Sequence, residues 1–336
     1  MARQNVFVRT IGGAARKFRA IQEVWILPWW GSGGWANVPL WTLDCVVLVV
    51  KLCSTCAVAA FHFIIPPVMK SMYGETVLIT GAGRGLGREL ALQLAGLGAA
   101  VVCWDRDEPR NQAVVHEIRS RDGEAYGYTV DVSSREQVEL IAGSMRRFQT
   151  DVSMVICTAE EQTYAPFLQL KPEEALRVVE VNLLAHFWII RAFLPHMIAR
   201  RHGHLVAVNC CAGLLPRADA APHCAAMYGL RGLMDSISEE LRLDTWTKSI
   251  RTTSVYLGSV TPHQAPPHRF TGCYQEVSTE EAARIIIDGI RKNKRNISIP
   301  SFMRWFIQLS NILPYRIRII FMDFFTFSHR GWFCFC

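Results

Sequence analysis

ETVLITGAGRGLG, residues 75–87, is a short apolar run that breaks into glycines and then takes up a helical pattern. Val77, Leu78 and Ile79 read as a buried strand. Glycines at 81, 83, 85 and 87 let the backbone turn tightly and come close to a pyrophosphate, and the helix that follows offers its N-terminus to the anion. The spacing GxGxxG does not fit, because the glycines fall at every second residue, whereas TGxxxGxG fits from Thr80 to Gly87. Taken alone, such a loop reads equally well as a turn at a strand end, so the residues downstream carry the weight. A second apolar run, Ala100 to Trp104, ends at Asp105. A carboxylate there accepts hydrogen bonds from an adenosine ribose and disfavours a ribose phosphate, which points to NAD over NADP. Arg106 and Arg110 nearby pull the other way.

Outward from this stretch, strands alternate with helices in the rhythm of a doubly wound parallel sheet, an α/β Rossmann-type fold. Strands are expected near 76–80, 100–104, 125–129, 153–157, 204–210, 250–257 and 296–299. The pair Asp131–Val132 closes the third strand, where it reads either as an adenine contact or as a turn and cap before the helix that opens at Ser133.

At 336 residues the chain exceeds one ordinary α/β domain, and the excess lies at its ends. Half the residues are hydrophobic and 19% are charged, an apolar balance that suggests membrane contact. The net charge is +7, and residues 1–40 hold five Arg or Lys against one Glu, so that end suits an anionic lipid surface. No nucleic-acid motif is present, and nucleic acid is not an expected partner. The eleven cysteines fall mostly in apolar runs and imply no disulfide framework. Cys53 and Cys56 form a CxxC that reads as packing, Cys334 and Cys336 are candidates for acylation, and no metal site is expected.

Three regions follow: an N-terminal membrane anchor over 1–70, the Rossmann-type domain over 71–300 and an aromatic and basic tail over 301–336. Trp25, Trp29, Trp30, Trp35 and Trp41 suit the headgroup level. Cys45 to Ile65 is about long enough to cross a bilayer, but Asp44 precedes it and Lys51 and His62 interrupt it. A central Lys costs about 2.5–3.5 kcal/mol, so a span competes with a hairpin, an in-plane anchor and a buried helix of an appended domain. A cleaved signal peptide is not expected, since about forty residues precede the apolar run. The tail mixes Phe, Trp, Ile and Leu with Arg304, Arg316, Arg318 and Arg330, the composition of an interfacial segment, with packing on the sheet as its alternative.

TGAGRGLG, CWD ending at Asp105, VDVS from Val130, VNLLAHFWIIRAFLP from Val181 and GHLVAV from Gly203 together resemble the short-chain dehydrogenase/reductase family. The nearest branch is the membrane and lipid-droplet one, with its 17β-hydroxysteroid and retinol dehydrogenases. The resemblance implies NAD(P)-dependent oxidation of a lipophilic alcohol or reduction of its carbonyl. It places cofactor contacts at Thr80, Gly81, Arg84, Gly85, Leu86, Gly87, Asp105, Asp131, Val132 and Ala159. It also implies a homodimer, an endoplasmic reticulum or lipid-droplet location with the Rossmann domain on the cytosolic side, and a substrate lid over Gly258–Ser278.

The family's chemistry uses a tyrosine that exchanges a proton with the substrate oxygen and a lysine one helical turn on that binds the ribose and lowers the tyrosine pKa. A serine polarises the carbonyl, and an asparagine holds a water of the proton relay. Carried onto this chain, the serine position is Cys210, the tyrosine position His223 and the lysine position Met227, while Asn182 keeps the family identity. No tyrosine in the chain has a lysine four residues later. The family's NNAG reads Cys157-Thr158-Ala159-Glu160, which sets a carboxylate beside the cofactor unless its side chain turns outward, and Leu257 replaces the proline after the sixth strand.

Three readings are compatible with these residues. One is a non-catalytic relative that keeps the fold, the anchor and the dinucleotide scaffold. Another is an oxidoreductase in which His223 handles the proton, since histidine titrates near neutrality unaided. The last pairs Cys210 with His223 as nucleophile and base for acyl transfer or hydrolysis.

Overall fold

The computed structural model describes residues 38–65, 68–148, 150–258, 260–261 and 277–326. The tryptophans at 25, 29, 30 and 35, most of the expected lid, and Cys334 and Cys336 lie outside them. The chain divides into two compact units, Met1–Pro67 and Val68–Cys336.

In the first unit, Val38–Ile64 forms α1, a single helix of 27 residues and about 40 Å at 1.5 Å per residue. It runs unbroken, so the hairpin alternative is not what this segment adopts. Val46 to Val50, Leu52, Val58 and Phe61 are exposed on it.

The second unit carries seven strands: β1 Thr76–Thr80, β2 Ala100–Asp105, β3 Ala125–Thr129, β4 Met154–Cys157, β5 His204–Cys210, β6 Arg251–Leu257 and β7 Asn296–Ile299. They pair in the order β3-β2-β1-β4-β5-β6-β7, every neighbour parallel. The seven expected strands are all present, β4 and β6 each starting one residue later and β2 ending one later. A two-residue parallel pair, Val260–Thr261 with Val277–Ser278, stands apart.

Each strand sends alternate side chains to opposite faces. Val77, Ile79, Val101, Cys103, Met154 and Ile156 enter one core, and Leu78, Val102, Trp104, Val155 and Cys157 enter the other. The first core is covered by α2 (Gly85–Gly96), α3 (Glu108–Ser120) and α8 (Thr279–Arg291). The second is covered by α4 (Arg135–Arg147), α6 (Ala185–Arg200) and α7 (Ala221–Leu243). Between them in sequence, α5 (Pro172–Val179) runs into α6 through a π-helical turn, Glu180–Leu184.

Side chains close several helix starts. Asp107 accepts from Arg110 N–H before α3, Ser134 from Gln137 N–H before α4, and Ser278 from Glu281 N–H before α8. The start of α2 has no side-chain cap and no acidic residue in its first turn. Its donors are left for something else.

The tail begins with α9 (Met303–Ser310), which buries Met303 and Ile307 in the core and turns Trp305 and Leu309 outward. Core packing therefore describes its first turns. In α10 (Tyr315–Thr326), Tyr315, Ile317 and Ile320 are exposed beside Arg316.

Candidate active site

Strand order reverses at β1, which has β2 on one side and β4 on the other. This switch point is where an open α/β sheet offers a crevice beyond its carboxyl ends. The glycine loop lies there, pressed against the chain beyond β4. A Cβ on Gly87 would stand 2.1 Å from the Gly81 carbonyl oxygen and 2.7 Å from Thr158 Oγ1, so no other residue fits without moving backbone. Thr80 Oγ1 accepts from the N–H groups of Thr158 (3.2 Å) and Ala159 (3.4 Å), and Thr158 Oγ1 donates to the Thr80 carbonyl at 2.5 Å. Arg84 is exposed and extended just before α2, Gly85 has φ +53°, and Leu86 packs against the core. The uncapped first turn of α2, with backbone packed this closely, fits a phosphate group.

At the far side of the crevice, Asp105 is already engaged. Its Oδ2 accepts from Gly83 N–H at 2.8 Å and its Oδ1 from Asp107 N–H at 2.9 Å. The neighbouring cations are paired as well: Arg110 with Asp107 at 3.2 Å, and Arg106 with Glu161 at 3.1 Å. Val132 is buried in the core. Asp131 closes the turn after β3, accepting from Ser133 N–H and Oγ and pairing with Arg177 at 2.9 Å. Burial works to raise the Asp131 carboxyl, but the bonds from Ser133 and Arg177 hold it below its ordinary value.

The reactive end is built by the π turn, the first turn of α7 and the loop after β4. Asn182 sits in the π turn, fully buried, and clamps residue 161. Its Oδ1 accepts from Glu161 N–H at 2.9 Å, and its Nδ2 donates to the Glu161 carbonyl at 2.7 Å. The same Nδ2 stands 3.3 Å from His223 Nδ1. An amide nitrogen only donates, so Nδ1 accepts and the ring proton is assigned to Nε2. Nε2 faces Glu160 Oε1 at 3.5 Å. That contact is electrostatic, since Nε2 has no hydrogen-bond partner of normal geometry. Burial pushes the His223 pKa below its ordinary value, and the Glu160 charge opposes the shift.

Glu160 thus turns inward, onto the tyrosine position. Met227, at the lysine position one turn beyond His223, is buried, and its carbonyl accepts from Asn209 Nδ2 at 2.9 Å; its side chain offers no cation. Cys210 ends β5 and is disulfide-bonded. This corrects the expectation of a Cys210–His223 nucleophile pair, because no free thiol stands at that position. Burial pushes the Cys157 and Cys211 thiols up to about 12, so neither is a ready nucleophile.

Two further groups come close that the motifs do not single out. The Tyr164 ring lies 6.5 Å from that of His223, and the Arg217 guanidinium lies 4.4 Å over the Tyr164 ring. Both come from loops, and no spacing in the sequence links them.

A family model described as short chain dehydrogenase matches residues 75–268. Epidermal retinol dehydrogenase 2 of Mus musculus is 36% identical over 294 residues, covering 84% of this chain and 92% of that protein. 17-beta-hydroxysteroid dehydrogenase 13 of Homo sapiens is 32% identical over 280 residues, 83% of this chain and 92% of that protein. Among solved structures, a metagenomic short-chain oxidoreductase in complex with NADP aligns with TM-score 0.59 and 28% identity, over 68% of this chain and 98% of that one.

Proposed function

The chain belongs to the short chain dehydrogenase family, and from that premise we propose a membrane-associated member that keeps the dinucleotide scaffold without the family's proton-transfer chemistry. The observation that carries this reading is the direction of Glu160. Its carboxylate points at His223, into the space between the loop after β4 and α7 where the family's chemistry takes place. An anionic group there repels a dinucleotide, and Met227 supplies no cation to grip the nicotinamide ribose. The phosphate end of the crevice stays well formed, with the uncapped α2 start and the tight glycine loop. Asp105, beside the paired Arg106 and Arg110, favours NAD(H) over NADP(H).

Membrane association is supported by α1 with its exposed valines and by the outward apolar side chains of α9 and α10. The endoplasmic reticulum or lipid-droplet surface is the proposed location, with the folded domain on the cytosolic side and as a homodimer. The names of the relatives, a retinol and a steroid dehydrogenase, point to a lipophilic ligand.

One contact favours a second reading. A carboxylate beside an imidazole whose other nitrogen is held by an amide is the arrangement of an oriented acid–base group, so His223 with Glu160 is the constellation a working oxidoreductase would use. The two readings separate in one experiment. NADH is titrated calorimetrically into detergent-held protein and into Glu160→Gly. The non-catalytic reading expects weak or absent binding in the native chain and a clear gain in the variant. Micromolar binding by the native protein, with turnover of a retinoid or steroid alcohol that His223→Phe abolishes, would establish the oxidoreductase instead.

A further inference from the structure

Glu161 carries no chemistry in the site described above, yet both its backbone polar groups and one carboxylate oxygen are engaged. Its backbone N–H and carbonyl are held by Asn182 at 2.9 and 2.7 Å, and its carboxylate meets Arg106 at 3.1 Å. Arg106 follows Asp105 at the carboxyl end of β2, and Glu161 lies beyond the carboxyl end of β4. Since β1 lies between β2 and β4, the ion pair spans the end of β1, over the switch-point crevice. We propose that Glu161 is a selectivity latch: its bridge to Arg106 closes the crevice, and it withholds from an incoming dinucleotide a cation placed to receive a ribose phosphate.

The chemistry runs on charge. While paired, the Arg106 guanidinium is neutralised, and a 2′-phosphate arriving beside Asp105 meets the Asp105 carboxylate without that cation to offset it. Once the pair opens, the guanidinium offers a planar pair of donors to that phosphate. The pair is half in solvent, Arg106 being 54% exposed and Glu161 28%, so the latch is weak enough to be displaced. Asn182 fixes the backbone of residue 161, so opening is a matter of side-chain rotation.

The inference rests on the crevice being the dinucleotide site, and the test separates the two. NADH and NADPH are titrated calorimetrically into the native chain, Glu161→Gln, Arg106→Gln with Glu161→Gln, and Glu160→Gly, each shown folded by circular dichroism. Glutamine keeps the bulk of residue 161 and leaves the backbone bonds to Asn182 in place. The expected result is that Glu161→Gln tightens NADH by about two- to fivefold, the worth of an exposed ion pair. It tightens NADPH by about tenfold or more, because a charged hydrogen bond is gained. The double variant keeps the NADH gain and loses the extra NADPH gain. Equal or absent changes for the two dinucleotides in Glu161→Gln overturn the latch, as does an NADPH gain that survives loss of Arg106. If Glu160→Gly binds NADH while Glu161→Gln changes nothing, the latch falls and the crevice stands; if no variant binds either dinucleotide, both fall.

Discussion

Glu160 and His223 face each other at 3.5 Å, carboxylate oxygen to ring nitrogen, with the imidazole closed off from solvent. The pair sets two opposed influences on one ring: burial disfavours the imidazolium, and the carboxylate favours it. Replacing Glu160 by Gln removes the favourable charge and leaves the burial. The His223 pKa should then fall further below its ordinary value, read as a shift of its ring resonances in an NMR pH titration. An unchanged or raised pKa would show that the carboxylate does not act on the ring.

The glycine loop predicts an order of damage. Alanine at Gly87 drives a methyl into the Gly81 carbonyl, and relief requires backbone movement, so the cost lies at the upper end of about 1–3 kcal/mol or above it. Alanine at Gly85 meets nothing within 4 Å and pays only for φ +53°, about 1–2 kcal/mol. Thermal unfolding should therefore rank Gly87→Ala below Gly85→Ala. The reverse order would contradict the packing of the loop.

Mild acid should weaken the fold. Burial lowers the His186 pKa to about 4, and burial with Lys70 and Arg251 lowers that of His204 to about 3. An unfolded chain protonates these residues near 6.5, the folded chain only near 4 and 3, so the unfolded state binds more protons between those values. Stability is full above pH 6.5 and falls as pH drops through that window, by up to about 1.36 kcal/mol per pH unit for each histidine. Both ring nitrogens of His186 lack a hydrogen-bond partner, so His186→Met loses no bond. Urea midpoints at pH 7 and pH 5 should differ less in His186→Met than in the native protein. An equal drop would remove His186 from the account.

The helix α1 sets a test of membrane binding. Val49 is 55% exposed and two residues from Lys51. Arginine at 49 adds a second cation to the apolar surface at a cost of about 2.5–3.5 kcal/mol, roughly a hundredfold in partition. Flotation with phospholipid vesicles should lose most of the protein to the dense fraction. Undiminished flotation would place membrane binding outside α1.

The central strands β1, β2, β4 and β5 were legible because they are runs of four to seven residues rich in valine or other apolar side chains, buried on both faces and so nearly continuous in hydrophobicity. By contrast, β3, β6 and β7 are more polar and were placed by the strand–helix alternation. The glycine loop and Asp105 were legible for a related reason, since their spacing is local. The direction of Glu160 was not. Its partner lies 63 residues away in sequence, and only the packing of α7 against the π turn brings them together. The Arg106–Glu161 bridge was hidden in the same way: Arg106 reads in the sequence as a cation awaiting phosphate, and a carboxylate 55 residues later takes it. Nor does residue periodicity announce the π turn that positions Asn182, because one extra residue in a long apolar helix leaves the pattern nearly unchanged.

The threonines at 80 and 158 carry a kinetic consequence. They tie the carboxyl ends of β1 and β4 together through both backbone and hydroxyl groups, so the walls of the crevice do not splay. Between these two strands the entrance widens by rotation of exposed side chains, on the picosecond-to-nanosecond scale. A ligand held back by such fast motion meets a rapidly averaged entrance: its association slows in proportion to the time the entrance is shut. Its residence time, once inside, is set by the contacts it makes.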